Sequence, residues 1–263
     1  MKEKLVVVKI GGTVLDHPAR LTQFLVAFRT IKDSKILIHG GGLKASETLR
    51  KIGIEPKMVE GRRITDGQTL EIIQMVYAGL INTNVVAELQ ALGCNALGLC
   101  GADANVIIAQ KRPVRSIDYG FVGDITSVNH EVLCGLLKLG FSPVFCSLTH
   151  NGKGQILNTN ADTIAAEIAV AMTKNFAIEL LFCLEKNGVL HNPEDENSLI
   201  PQINPVSFEI LKGQKIIHAG MIPKIANAFF AVKNGGVSCR ILKFSNLGKY
   251  IDGIMTGTEV LPD

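Results

Sequence analysis

Apolar residues follow two rhythms along this chain. Short continuous runs, beginning with Leu5-Val6-Val7-Val8, alternate with longer stretches in which leucine, valine and isoleucine return every three or four positions. The first pattern suits strands buried on both faces, the second suits amphipathic helices. The expected elements are a strand at 4–10, a helix at 18–31 opened by Pro18, a strand at 35–39 and a helix at 41–53. Thr65-Asp66-Gly67-Gln68 reads as a Thr-x-x-Gln capping box that opens a long helix reaching Leu92, and a strand at 95–99 follows. This βαβα alternation predicts a parallel sheet with helices on both faces.

A different texture lies between Val106 and Val128, where two apolar segments flank the polar turn Arg112-Pro113-Val114-Arg115; it predicts a β-hairpin. The βα pattern then resumes. Helices are expected at 130–139, 161–172, 205–211 and 222–233, with strands at 143–147, 177–184, 237–242 and 258–261 and a loop through Gly152 and Gly154. Neither a low-complexity linker nor an internal repeat divides the chain.

Composition narrows the function. In 263 residues, 27 basic side chains nearly balance 24 acidic ones, with no basic run, so nucleic acid is not an expected partner. The absence of Trp and the presence of three Tyr leave few stacking platforms for single strands. The six cysteines form no Cys-x-x-Cys pair and are expected as small core residues. The opening apolar run is too short for a signal peptide, and no apolar run is expected to span a membrane, which predicts a cytoplasmic protein.

The chemistry concentrates where strands run into glycine: Lys9-Ile10-Gly11-Gly12 and His39-Gly40-Gly41-Gly42. Backbone without side chains approaches an anion closely, a following helix offers free N–H groups, and lysine adds a point charge suited to phosphate. Farther on, Asn158-Thr159-Asn160-Ala161-Asp162 and Gly220-Met221-Ile222-Pro223-Lys224 each stand at the entry of an expected helix. The histidines show no ligand spacing, and no protein metal site is expected.

Together with Gly61-Arg62-Arg63-Ile64-Thr65, these motifs resemble the amino-acid kinase superfamily and, within it, the N-acetylglutamate kinases. The resemblance implies an open, mainly parallel αβα sandwich with a β-hairpin insertion. It places an acylglutamate-binding lobe at residues 1–175 and an ATP-binding lobe at 176–263, closely joined. It further implies ATP-dependent phosphorylation of the side-chain carboxylate of N-acetyl-L-glutamate in arginine biosynthesis, with magnesium arriving on ATP. By the same resemblance, Lys9 and Lys224 contact the transferring phosphoryl group and Asp162 organises both. Gly11, Gly12 and Gly41 supply N–H donors, Gly41, Gly42 and Asn158 bind substrate, and Arg63 receives its α-carboxylate. Nucleotide contacts are expected from Glu185, Lys186, Gly188, Val189, Leu190, Ile217 and His218, although the threonine-aspartate pair usual in this family is missing from Cys183-Leu184-Glu185-Lys186.

Two alternatives stand beside this reading. The first is a kinase for another acylglutamate such as N-succinylglutamate, the hairpin forming part of the lid over the acyl pocket. The second is a sensor that keeps the kinase fold; the altered segment at Glu185 supports it, and retention of Lys9, Asp162 and Lys224 speaks against it. A dinucleotide dehydrogenase would need Gly-x-Gly-x-x-Gly after the first strand, and the glycine spacing here is wrong. Arginine-inhibited relatives carry an extra amino-terminal helix that builds hexamers. A chain starting close to its first strand is therefore expected to be a homodimer, paired through the long helix from Asp66 to Leu92, with little sensitivity to arginine.

Overall fold

The computed structural model describes residues 2–59, 61–217 and 220–262. Strand β1 (Lys4–Ile10) alternates its side chains between two apolar layers, Leu5 and Val7 facing one, Val6, Val8 and Ile10 the other. A strand apolar on both faces belongs at the centre of a covered sheet, and β1 is there. Each such side chain removed from water contributes about 1.5–3 kcal/mol.

Helices α1 (Gly12–Leu15) and α2 (Pro18–Arg29) follow, then β2 (Ser34–His39) and α3 (Gly42–Lys51). A small ribbon of β3 (Met58–Val59) and β4 (Arg62–Arg63) leads into one continuous helical rod. That rod comprises α4 (Gly67–Gln74), a π-helical segment (Met75–Asn82) and α5 (Thr83–Ala91). Next come β5 (Ala96–Leu99), β6 (Ile107–Lys111), β7 (Gly123–Val128), α6 (His130–Lys138), β8 (Ser142–Phe145), β9 (Leu148–His150) and β10 (Ile156–Asn158). The remainder holds α7 (Ala161–Met172), β11 (Ala177–Leu184), β12 (Gln202–Ile203), α8 (Pro205–Gly213), α9 (Ile222–Gly235), β13 (Ser238–Lys243), α10 (Leu247–Ile251) and β14 (Thr258–Val260).

The main sheet has eight strands in the order β12-β14-β13-β11-β1-β2-β8-β5, and every pair is parallel except β13 with β14. Residues of α6, α7, α8 and α9 pack on one face, residues of α2, α4 and α5 on the other. This is the open, mainly parallel αβα sandwich expected from the sequence.

Local details differ. The expected hairpin at 106–128 is present as β6 and β7, but it belongs to a second, four-stranded sheet of order β10-β9-β6-β7. The segment read as a loop through Gly152 and Gly154 is the turn joining β9 and β10, and both glycines carry it with positive φ (69° and 88°). Strands of three residues are too short to leave a periodic signal. The long helix starts one residue later than expected: Asp66 is its cap, its carboxylate accepting from Thr69 N at 2.8 Å, while Thr65 pairs with the hairpin through Tyr119 and Phe121. Finally, the rod Gly67–Ala91 is long and apolar enough, by length and composition, to cross a membrane, contrary to the expectation of no such run. Here it packs on the sheet, burying Leu70, Ile73, Val76, Ile81, Val85 and Leu89.

Candidate active site

Three charged side chains far apart in the chain meet at the carboxyl end of β1. Lys9 is the penultimate residue of β1, Asp162 stands in the first turn of α7, and Lys224 in the first turn of α9. Asp162 lies between the two lysines. Lys9 Nζ is 2.7 Å from its Oδ1, and Lys224 Nζ donates to its Oδ2 at 2.8 Å. All three residues are buried. Asp162 is free for this role because its neighbour caps the helix: the Asn160 side chain accepts from the backbone N of Asp162 (2.7 Å) and of Thr163 (3.2 Å).

The electrostatics follow from that arrangement. Burial disfavours the Asp162 carboxylate, yet the two ammonium groups outweigh it and hold its carboxyl well below the usual range. Burial also works against Lys9. Its pairing with Asp162 offsets this only in part, while the charge of Lys224 adds to it, and its pKa falls to about 8.

Around this centre a cleft of about 230 Å³ is lined by Lys9, Gly12, Gly41, Gly42, Arg63, Asn158 and Asp162. The structure thus brings together most of the residues expected to handle the phosphoryl group and substrate. Gly11 caps the short helix α1 beside them without lining the cleft, and Lys224 joins the centre through its hydrogen bond to Asp162. Gly41 must be glycine on steric grounds: a Cβ there would lie 2.6 Å from Ile81 and 2.7 Å from Tyr77. Arg63 is anchored through Nη2, which donates to Gly42 O (2.8 Å) and Ser46 Oγ (2.7 Å), leaving Nη1 buried and without a protein acceptor. Asn158 Nδ2 donates to Thr65 Oγ1 at 3.0 Å, which ties the Arg63 segment to β10.

Behind the glycine turn sits a buried polar relay. His39 Nε2 accepts from Asn82 Nδ2 at 2.9 Å, and Asn82 also donates to Val144 O. The opposite ring nitrogen, Nδ1, faces Gly40 O at 2.8 Å, and Ser147 Oγ donates to His39 O. Burial pushes the His39 pKa down to about 4, so the ring is neutral at pH 7 and donates from Nδ1. Tyr77, Asn82, Ser147 and Arg112 carry no motif and were not singled out from the sequence. Only Asn82, a lone amide in the apolar stretch Gly79-Leu80-Ile81-Asn82, left a readable trace.

A second, mostly apolar pocket of about 220 Å³ is lined by Lys186, Gly188, Val189, Leu190, Ile217 and Met221. These include five of the seven residues expected to contact nucleotide. Glu185 does not line it: its carboxylate turns to α2 and pairs with Arg20. Lys186 Nζ is held by Pro193 O at 2.7 Å. His218 lies outside the described residues.

Comparison with known proteins identifies the family. An acetylglutamate kinase from Cytophaga hutchinsonii is 52% identical over 241 residues, covering 91% of each chain. The crystal structure of smu.665 from Streptococcus mutans UA159 superposes with a TM-score of 0.82 at 25% identity, covering 98% of this chain and 99% of that one. N-acetylglutamate synthase from Neisseria gonorrhoeae, complexed with coenzyme A and N-acetyl-glutamate, shares the fold across all of this chain and 60% of its own (TM-score 0.84, 20% identity). Residues 4–243 match the amino acid kinase family, with both glycine turns and the Lys9–Asp162–Lys224 cluster inside the matched span, and the chain belongs to that family.

Proposed function

We propose that this protein transfers the γ-phosphoryl group of ATP to the side-chain carboxylate of N-acetyl-L-glutamate, giving N-acetylglutamyl 5-phosphate for arginine biosynthesis. The observation that carries the reading is one carboxylate, Asp162, buried between two ammonium groups beside two glycine turns. Half-identical relatives named acetylglutamate kinase support it.

The reaction brings two anions together, so its demand is charge neutralisation and alignment. A carboxylate oxygen of the substrate bonds to the γ-phosphorus while the bond to the β–γ bridging oxygen breaks, its electron pair leaving with ADP. The acceptor is already ionised at neutral pH, so no general base is required. Lys9 and Lys224 act on the transferring group from two sides, Asp162 keeps both protonated and in place, and N–H groups at Gly11, Gly12 and Gly41 receive developing oxygen charge. Arg63 Nη1 receives the α-carboxylate, and Asn158 fixes the substrate's orientation. Asp162 is already committed to two lysines and has no charge to spare for a cation. Magnesium is therefore assigned to phosphate oxygens and water, where it neutralises the β,γ-phosphates.

The same reading divides the chain at about residue 175 into an acylglutamate lobe and an ATP lobe. The residues lining the cleft precede that point, Lys224 and the apolar pocket follow it, and direct pairing of β1 with β11 joins the two. We also assign a homodimer built on the exposed apolar residues Leu43, Met58, Met75 and Leu80 in and beside the helical rod. An acyl-phosphate assay with ATP, magnesium and N-acetylglutamate, trapping the product as hydroxamate, tests the activity. Product dependent on both substrates is expected; ATP binding without turnover would reject it.

A further inference from the structure

The π-helical segment brings to the cleft a tyrosine that the phosphoryl chemistry leaves unused. Tyr77 is only 5% exposed, yet it lines the cleft together with Lys9, Arg63 and Asn158. Its ring edge lies along the glycine turn: a Cβ at Gly41 would fall 2.7 Å from Cδ1 and 2.9 Å from Cε1. A Cβ on the next residue, Gly42, would fall 3.8 Å from Arg63 Nη2. Two successive glycines thus leave room for a phenol and a guanidinium over one turn. The Arg63 charge reaches the phenol and favours its ionised form, but burial outweighs it, so the hydroxyl stays protonated and is a donor.

Donors are what this corner needs. A carboxylate is gripped best by two parallel N–H bonds from one guanidinium. Arg63 cannot offer that fork, because Nη2 is spent on Gly42 O (2.8 Å) and Ser46 Oγ (2.7 Å). Nη1, buried and without a protein acceptor, can meet one oxygen of the α-carboxylate and leaves the other unmatched. Asn158 Nδ2 already donates to Thr65 Oγ1. The Tyr77 hydroxyl, beside the guanidinium and at the cleft wall, is the donor of matching chemistry.

We propose that Tyr77 is a substrate-binding residue whose hydroxyl donates to the α-carboxylate oxygen that Arg63 Nη1 leaves unpaired, so that phenol and guanidinium together read the α-carboxylate of an N-acylglutamate. This inference rests on the acylglutamate kinase reading and adds a residue to it. It also gives the π-helical turn a function, as such turns frequently have: this one carries a side chain that touches substrate.

The competing role for Tyr77 is steric, a wedge behind Gly41. Tyr77→Phe separates the two, because it keeps the ring and removes only the hydroxyl. In the hydroxamate assay N-acetylglutamate and N-succinylglutamate are both offered, since the contact does not involve the acyl group. For each one turned over, KM should rise about ten- to a hundredfold in Tyr77→Phe, the range of a hydrogen bond to a charged group, with kcat and KM for ATP within about twofold. The matching N-acyl-4-aminobutyrate, which has hydrogen in place of the α-carboxylate, should inhibit both proteins with the same Ki. An unchanged KM, a Ki that rises as much as the KM, or an equal loss for ATP overturns this inference and leaves the kinase intact. No turnover of either substrate by the parental protein overturns the kinase reading instead. Thermal shifts then still decide the contact: the acylglutamates should raise the Tm of the parental protein more than that of Tyr77→Phe, each against its own ligand-free Tm, and equal shifts reject the proposal.

Discussion

Asp162 carries one negative charge for two lysines in a site almost closed to water, so its removal acts on stability and turnover together. Asp162→Asn keeps the shape but leaves two buried ammonium groups facing each other. It should lower unfolding free energy by about 3–5 kcal/mol in urea titrations and depress kcat by at least about a hundredfold. Asp162's contribution to stability is present above the ordinary carboxylate pKa of about 4 and is lost as pH falls. Lys9 sets the alkaline limit. With its pKa lowered to about 8, it loses its charge as pH rises through that value, and kcat/KM should fall with the loss of one proton. A profile flat to pH 9.5 would remove Lys9 from the phosphoryl site. The two ends of the cleft separate kinetically: Lys224→Ala should mainly lower kcat, Arg63→Ala mainly raise KM for the acidic substrate. Reversed effects in steady-state kinetics would exchange their roles.

At the scale of elements, the glycine turn after β2 is held from behind by the π-helical segment. That segment presents Tyr77 and Ile81 to Gly41 and Asn82 to His39, and β5 makes room for it at Gly98, where a Cβ would fall 2.2 Å from Asn82 Oδ1. Gly98→Ala should therefore destabilise the protein by about 1–3 kcal/mol and, by displacing Asn82 from His39, raise KM for the substrate bound at the turn. An unchanged Tm and KM would show that the relay does not position the turn. Many regular elements were legible in advance: β1, α7 and β11 have the limits their apolar patterns predict. The π segment was not, because its wider turn is chosen by what Tyr77 and Asn82 meet across the sheet rather than by composition. Likewise the capping box at Thr65 yielded to Asp66 because the hairpin claims Thr65 as a pairing partner.

For the molecule as a whole, Leu43, Met58, Met75 and Leu80 are each more than two-fifths exposed. A second copy covering this face would explain both them and a rod apolar enough to pass for a membrane helix. Light scattering should give twice the monomer mass, and Met75→Glu with Leu80→Glu should return it to one; a monomeric parental protein would refute the assignment. What the sequence by itself determined was the class of fold and the glycine, asparagine and lysine motifs that stand at strand ends and helix entries, since strand and helix periodicities are local and those motifs are contiguous. The family resemblance grouped Lys9, Asp162 and Lys224, and the tertiary structure decided how closely they meet and how deeply they are buried. Lys224 reaches Asp162 across 62 residues, and the Lys9 pKa falls through a burial that no local pattern encodes. Arg112 is left one donor short where its hairpin, joined to the unpredicted three-residue strands β9 and β10 in a second sheet, brings it to the cleft. Burial and pairing are properties of surfaces brought together, and a chain reveals them only once it has folded.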